Sequence, residues 1–254
     1  MRYLVIDLET VTDPSLSPAV KADADTLPPI PYHQVAVMAA ALLDARCQLR
    51  RIWVVGEGNA ERDMLAALVS YLNGQRDITI VTWNGRGFDL PVVLARCLRY
   101  GLIFPWYYAR REVRHRYSAS GHLDVMDFLV DHGAARPYSL DLAAKLIGMS
   151  GKLDCRGADV QALIDAGQVE QVRAYCMQDV ARTVALFLRT QILRGALDHE
   201  AYVGAMESLL AAIEKESRLA PLLPHIDRDR LLFLERATAS GAVALRLVAA
   251  GGER

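Results

Sequence analysis

The chain has 254 residues, 52% hydrophobic and 23% charged, with a formal net charge of −1. This length suits one catalytic domain with a small appendage and is too short for a polymerase and a nuclease together; the balanced charge speaks against a coat protein for long duplex DNA, which needs a basic surface. The apolar run at residues 36–43 is too short to span a bilayer, and Cys47, Cys97, Cys155 and Cys176 form no CxxC pair, so reduced core thiols in a cytoplasmic protein without membrane association are expected.

The N-terminus enters residues 2–8 directly, with no signal-peptide pattern. This segment reads as a strand, with Tyr3, Val5 and Asp7 on one face and Leu4, Ile6 and Leu8 on the other, and apolar residues on both faces suit a central position. Five prolines make residues 12–32 a loop. Residues 34–43 and 49–55 read as two more strands, giving an antiparallel meander. Residues 59–72 have helical spacing closed by Asn73–Gly74, residues 78–82 form a buried strand, and residues 89–100 form a helix that tolerates Pro91 in its first turn. Residues 107–120 are basic and irregular. Ser139 caps a short helix to residue 147, and residues 168–193 form a long one. Residues 197–247 read as two or three helices broken near Pro221 and Pro224. The pattern is α/β with a mixed sheet, and a boundary near residue 196 divides a catalytic unit, 1–196, from a helical extension, 197–254. No dinucleotide fingerprint, Walker A motif, Gly-x-Ser-x-Gly or zinc spacing is present.

Three acidic motifs carry the chemistry. Asp7 and Glu9, two apart on a strand, share a face, and a carboxylate ending a buried run needs compensation such as a cation. Asp-x-Glu arises about once per chain by chance, so alone it decides little. Asn84-x3-Phe88-Asp89 is far more specific, with a chance expectation of about 0.004, and Gly85 and Gly87 allow a tight turn there. A glycine turn with Asp89 as a helix cap explains the glycines and the aspartate, but not their coupling to Asn84 and Phe88. Tyr175 and Asp179, four apart on the long helix, reach one point, though this spacing too is expected about once by chance. Four clustered carboxylates repel one another, and hard divalent ions such as Mg²⁺ or Mn²⁺ relieve that repulsion.

Together, Asp7-x-Glu9, Asn84-x3-Phe88-Asp89 and Tyr175-x3-Asp179 resemble the three exonuclease motifs of the DEDD superfamily, and the tyrosine marks its DEDDy branch. Residues 83–91, 122–129 (HLDVMDFL), 151–160 (GKLDCRGADV) and 175–183 (YCMQDVART) are similar to a family described as 3′–5′ exonucleases related to the proofreading domain of family-B DNA polymerases. The similarity spans residues 1–195. It implies a ribonuclease H-like fold, with three antiparallel strands followed by parallel ones. It further implies that Asp7, Glu9, Asp89 and Asp179 ligate two divalent ions, Mg²⁺ or Mn²⁺, and that Tyr175 orients the attacking water. Asn84 and Phe88 would shape the pocket for the terminal nucleotide, with Leu8 and Thr10 touching its base and sugar. The implied activity is removal of nucleotides from the 3′ end of single-stranded nucleic acid, DNA in preference to RNA, by two-metal catalysis. An exoribonuclease and a catalytically silent nucleic-acid-binding module on the same fold stay open as alternatives.

Arg110, Arg111, Arg114 and Arg116, interleaved with Tyr107, Tyr108 and Tyr117, suit a single strand: arginines to phosphates, rings to bases. A solvated charged loop explains them equally well. His122, Asp124 and Asp127 either extend the site or hydrogen-bond to backbone, the structural role being the commoner one.

Overall fold

The computed structural model describes residues 1–16, 28–152 and 159–234. Among the described residues, five strands form one sheet. They are β1 (Arg2–Thr12), β2 (His33–Leu43), β3 (Leu49–Val54), β4 (Ile78–Thr82) and β5 (His122–Asp124), in the spatial order β3-β2-β1-β4-β5. β1, β2 and β3 are antiparallel neighbours, whereas β4 and β5 join β1 in parallel. The mixed α/β sheet expected from the sequence is therefore present, with β1 at its centre.

Besides short 3₁₀ turns, the described residues contain ten α-helices: α1 (Glu61–Asn73), α2 (Asp89–Tyr100), α3 (Pro105–Ala109), α4 (Arg111–Arg114), α5 (Val125–Leu129), α6 (Leu140–Leu146), α7 (Val160–Asp165), α8 (Val169–Leu193), α9 (His199–Lys215) and α10 (Arg228–Leu232). The alternation of β1 sorts its side chains into two cores. Leu4, Ile6 and Leu8 pack with Met64, Leu65, Leu68, Val92 and Val93 of α1 and α2. Val5, on the opposite face, packs with Cys176, Val180, Val184 and Phe187 of α8. Asp7 follows in the phase of Val5, so strand periodicity alone turns it toward α8. The α9 residues Tyr202, Met206, Leu209 and Ile213 share that second core. The Tyr202 hydroxyl also donates to the Leu231 carbonyl at 2.7 Å, tying α9 to α10.

Several elements depart from the expected boundaries. β1 runs four residues past Leu8, because pairing with β2 continues to Thr12 opposite His33. Near Glu9 the register slips by one: Glu9 faces Val37 and Thr10 faces Val35, leaving Ala36 as a bulge in β2. β5, three residues long, is a strand the pattern reading left out. The expected irregular segment after α2 contains two short helices, the first begun by Pro105 at a position where its missing N–H costs nothing. After α9 come a 3₁₀ turn, Ala220–His225, and α10. Residues 17–27 of the expected loop, Cys155, residues 153–158 of the GKLDCRGADV stretch and the helical reading beyond residue 234 lie outside the described residues.

One polar cluster is buried between α1 and α2. Arg96, only 2% exposed, donates to both oxygens of Glu61, at 2.7 and 2.6 Å, and to Asp13 at 2.6 Å. Glu61 also accepts the Val35 backbone N–H and the Tyr100 hydroxyl, at 2.7 and 2.6 Å. With every charge paired and hydrogen-bonded, this cluster meets the condition under which buried ions are tolerated.

Candidate active site

The carboxyl ends of the parallel strands open into a cavity of about 420 Å³, lined by Asp7, Leu8, Glu9, Thr10, Trp83, Asn84, Phe88, Asp89, Met126, Tyr138 and Ser139. Asp7 and Glu9 reach it from β1. Asp89 is the first residue of α2, directly after the cap residue Phe88. Asp179 and Tyr175 approach from α8, both almost fully buried. Asp7, Glu9 and the thiol of Cys176 set one ligand atom each within 4.8 Å of one another. Cys176 Sγ lies 3.4 Å from the Asp7 carbonyl and 3.5 Å from its carboxylate.

The electrostatics are those of acids without enough partners. Burial, then the charges of Asp89, Glu9 and Asp179, push the Asp7 carboxyl well above its usual range. Glu9 is pushed well up by burial and by Asp179, against the pull of Lys152. Burial raises Asp89 to about 7, with repulsion from Asp124 adding to it and the backbone N–H of Leu8 opposing it. Asp179 is balanced differently. Its Oδ1 accepts from Arg182 at 2.7 Å and its Oδ2 lies 3.4 Å from the Lys152 ammonium. Arg182 has no exposed surface and is itself fixed by the carbonyls of Ser150 and Gly151, at 2.9 and 2.6 Å. Lys152 also donates to the Tyr175 hydroxyl and sits 4.7 Å from the centre of its ring. These buried oxygen donors, held in mutual repulsion, fit hard divalent cations.

The loop between β4 and α2 turns differently from its sequence. The glycines looked like the residues needed for unusual backbone angles, yet the positive φ, 60°, belongs to Asn84. Asparagine tolerates this left-handed conformation better than most residues. Gly85 serves close approach instead: a Cβ there would meet the Thr82 side chain at 2.4 Å. Phe88 packs edge-on against His33, and Thr10 bonds the same imidazole at 2.8 Å, so two of the expected pocket residues share one support.

The four arginines do not act as a unit. Arg116 is 2.6 Å from Asp127 and, with Asn84, Arg86 and Asp124, lines a neighbouring cavity of about 380 Å³. Arg111 and Arg114 are exposed. Arg110 bonds the Arg76 carbonyl and lines a cavity with Met1 and Asp77, at the opposite end of β1 and β4 from the carboxylates. Arg86, absent from the sequence reading, joins the basic segment to the motif loop by donating to the carbonyls of Val113, His115 and His122. His122 is fully buried, its Nε2 2.8 Å from the Thr82 hydroxyl, and burial keeps it neutral by pushing its pKa well down.

Lys152, Arg182, Cys176, Trp83, Met126, Tyr138 and Ser139 were also missed as site residues. Lys152 left a faint signal: it is one of four lysines in a chain with 25 arginines. The others read as ordinary helix or loop residues until the fold brings them together.

This arrangement, a mixed sheet with acids at the carboxyl ends of its parallel strands, has relatives. Residues 25–227 match the family model described as predicted 3′–5′ exonuclease related to the exonuclease domain of PolB. The chain belongs to that family. The matched range begins after β1, so Asp7 and Glu9 stand outside it, and it continues past α9. A DNA polymerase of Red sea bream iridovirus is 23% identical over 136 residues, 47% of this chain and 14% of that polymerase. The family B DNA polymerase of the hyperthermophilic archaeon Pyrobaculum calidifontis shares the fold. Its TM-score is 0.54 at 18% identity, over 86% of this chain and 29% of that structure. The chain thus spans a minor part of both polymerases. No helix among the described residues is long and apolar enough to cross a membrane.

Proposed function

We propose that the chain is a DEDDy-type, metal-dependent 3′–5′ exonuclease that removes nucleotides from the 3′ end of single-stranded nucleic acid, DNA in preference to RNA. The observation that carries the reading is that Asp7, Glu9 and Asp89 line one open cavity, with Asp179 of α8, joined to Tyr175 through Lys152, close enough for its charge to raise Asp7 and Glu9. The preference for DNA rests on the two relatives, both DNA polymerases by name.

Asp7, Glu9, Asp89 and Asp179 would hold two ions, Mg²⁺ or Mn²⁺. Bound there, such ions stabilise the attacking and leaving oxygens of an in-line phosphoryl displacement and lower the pKa of a nucleophilic water. The protein's part is orientation. Tyr175, held by Lys152, directs its hydroxyl at the attacking water, and Arg182 fixes the rotamer of Asp179. Trp83, Phe88 and Tyr138 offer faces for the terminal base, while Leu8, Thr10 and Asn84 border its sugar. Arg116 lines the neighbouring cavity, which shares Asn84 and Met126 with this one, and would meet the next phosphates; Arg111 and Arg114 are exposed and free to join it. The thiols of Cys47, Cys97 and Cys176 are free, which suits a reducing compartment such as the cytoplasm.

The test is degradation of 5′-labelled DNA and RNA oligonucleotides, side by side, with Mg²⁺ or Mn²⁺. A ladder of shortened products, faster on DNA and abolished by chelation, is the expected result. Well-folded protein that leaves both polymers intact across these metals would sink the proposal; faster RNA cutting would reverse the substrate preference. Tyr175→Phe should slow cutting while leaving Mn²⁺ binding, followed by calorimetry, unchanged.

A further inference from the structure

Asp124 lies outside the proposed metal set, yet it is tied to the loop that delivers Asp89. β5 runs parallel to β4 with Asp124 opposite Thr82, so its carboxylate stands where the chain leaves β4 for the Asn84 turn. Oδ1 accepts the Asn84 backbone N–H at 3.0 Å, and Oδ2 accepts that of Arg86 at 2.9 Å. Oδ1 also accepts the Asp127 N–H at 3.2 Å, which caps α5. The side chain is buried, at 4% exposure. The turn it grips contains the left-handed Asn84, a conformation that persists only where its surroundings hold it. From there the turn locks inward. The Asn84 carbonyl accepts from Gly87 and Phe88, at 3.0 and 3.1 Å, and the Gly85 carbonyl accepts from Leu90 at 2.9 Å, bracketing Asp89.

We propose that Asp124 is a positioning residue: one carboxylate that clamps both ends of the Asn84–Arg86 turn, and through it fixes Asp89 and the pocket wall formed by Asn84 and Phe88. Its consequences for ion binding and catalysis rest on the metal-dependent exonuclease reading, whereas the clamp itself does not. The competing role is that of a mere helix cap for α5. The two differ in what they demand of the side chain. A cap needs one acceptor, which asparagine or serine supplies as well as aspartate. The clamp needs two, facing different N–H groups; an asparagine amide would turn its NH₂ toward one of them, and a serine has a single oxygen.

The experiment compares the full chain with Asp124→Asn and Asp124→Ser. It follows thermal melting, exchange of the Asn84 and Arg86 backbone amides by NMR, Mn²⁺ binding by calorimetry, and kcat and KM on a labelled single strand. Both variants should fold but melt somewhat below the wild type, because a buried N–H loses its acceptor; they should lose protection at those two amides, and lose about 10–100-fold in Mn²⁺ affinity and kcat, the scale found for residues that orient metal ligands. KM should change less. Unchanged Mn²⁺ affinity and kcat in a folded Asp124→Asn protein would overturn the proposal. Should neither variant fold, the wild type still decides: solvent-like exchange at Asn84 and Arg86 refutes the clamp, and protection supports it. Loosened amides with weakened Mn²⁺ binding, in a protein that cuts no substrate, would uphold the clamp while removing the exonuclease reading.

Discussion

Asp13 is buried as deeply as Asp89, but the two carboxyls are pushed in opposite directions. Between α1 and α2, burial would raise Asp13, yet the Ser15 hydroxyl and the Arg96 guanidinium outweigh it and hold the carboxyl at about 2. At the cavity, burial and neighbouring acids raise Asp7 and Glu9 well above their usual range and Asp89 to about 7. One cluster is complete within the chain. The other has Arg182 and Lys152 against four carboxylates, and on the proposed reading it is completed by cations from outside. Buried acids alone therefore do not mark a functional site; a shortage of counter-charge does.

The comparison can be broken most directly by deleting charge on each side. Asp7→Asn should lower exonuclease turnover by about 10³-fold or more, the several kcal/mol that a metal contributes to phosphoryl transfer. It should also leave the metal-free melting temperature unchanged or raise it, because a repelled charge is gone. A large loss of stability would mean that Asp7 belongs with the structural acids. Arg96→Met should do the reverse, costing about 3–5 kcal/mol of stability by stranding Asp13 and Glu61. Denaturant unfolding measures it, and a loss under ~1 kcal/mol would show the cluster to be dispensable.

A smaller effect separates the clusters by pH. The depressed Asp13 stabilises the fold above its unfolded value of 3.8, and that contribution disappears as pH falls toward about 2. Asp89 has the opposite sign. Its folded value is raised from 3.8 to about 7, so its contribution is present below 3.8 and is lost as pH rises through that window. Metal-free protein should therefore melt progressively earlier from about pH 4 to about pH 7, and Mn²⁺ should restore the lost degrees at neutral pH but not near pH 4. A flat profile with no Mn²⁺ response would show that the cavity acids are already compensated.

Much of this was legible in the sequence because it depends on local periodicity. Alternation in β1 assigned Asp7 to the face that meets α8, and the i,i+4 spacing brought Tyr175 and Asp179 to one point. What escaped depends on partners far away along the chain. Arg96 has the spacing of an ordinary amphipathic helix, and nothing near it announces Asp13 or Glu61. Arg182 and Lys152 become site residues only when α8 meets the segment around Ser150. β5 is too short for alternation to reveal, so Asp124 was left between two readings, backbone support and site residue. The arginine run was legible as charge but not as geometry: its members point to different ends of the sheet.

Ala36 has no catalytic group, and as the bulged residue of β2 it stands outside the alternation of its neighbours. Val35 and Val37, on either side of it, already face opposite cores, so losing Ala36 would straighten the ladder and leave His33 opposite Thr12. His33 supports both Thr10 and Phe88, and a residue inserted between it and Val35 would slip the pairing by one and carry it to the other face, away from both. Relatives of this chain should accordingly accept the exchange or loss of Ala36, whereas the spacing from His33 to Val35 is fixed.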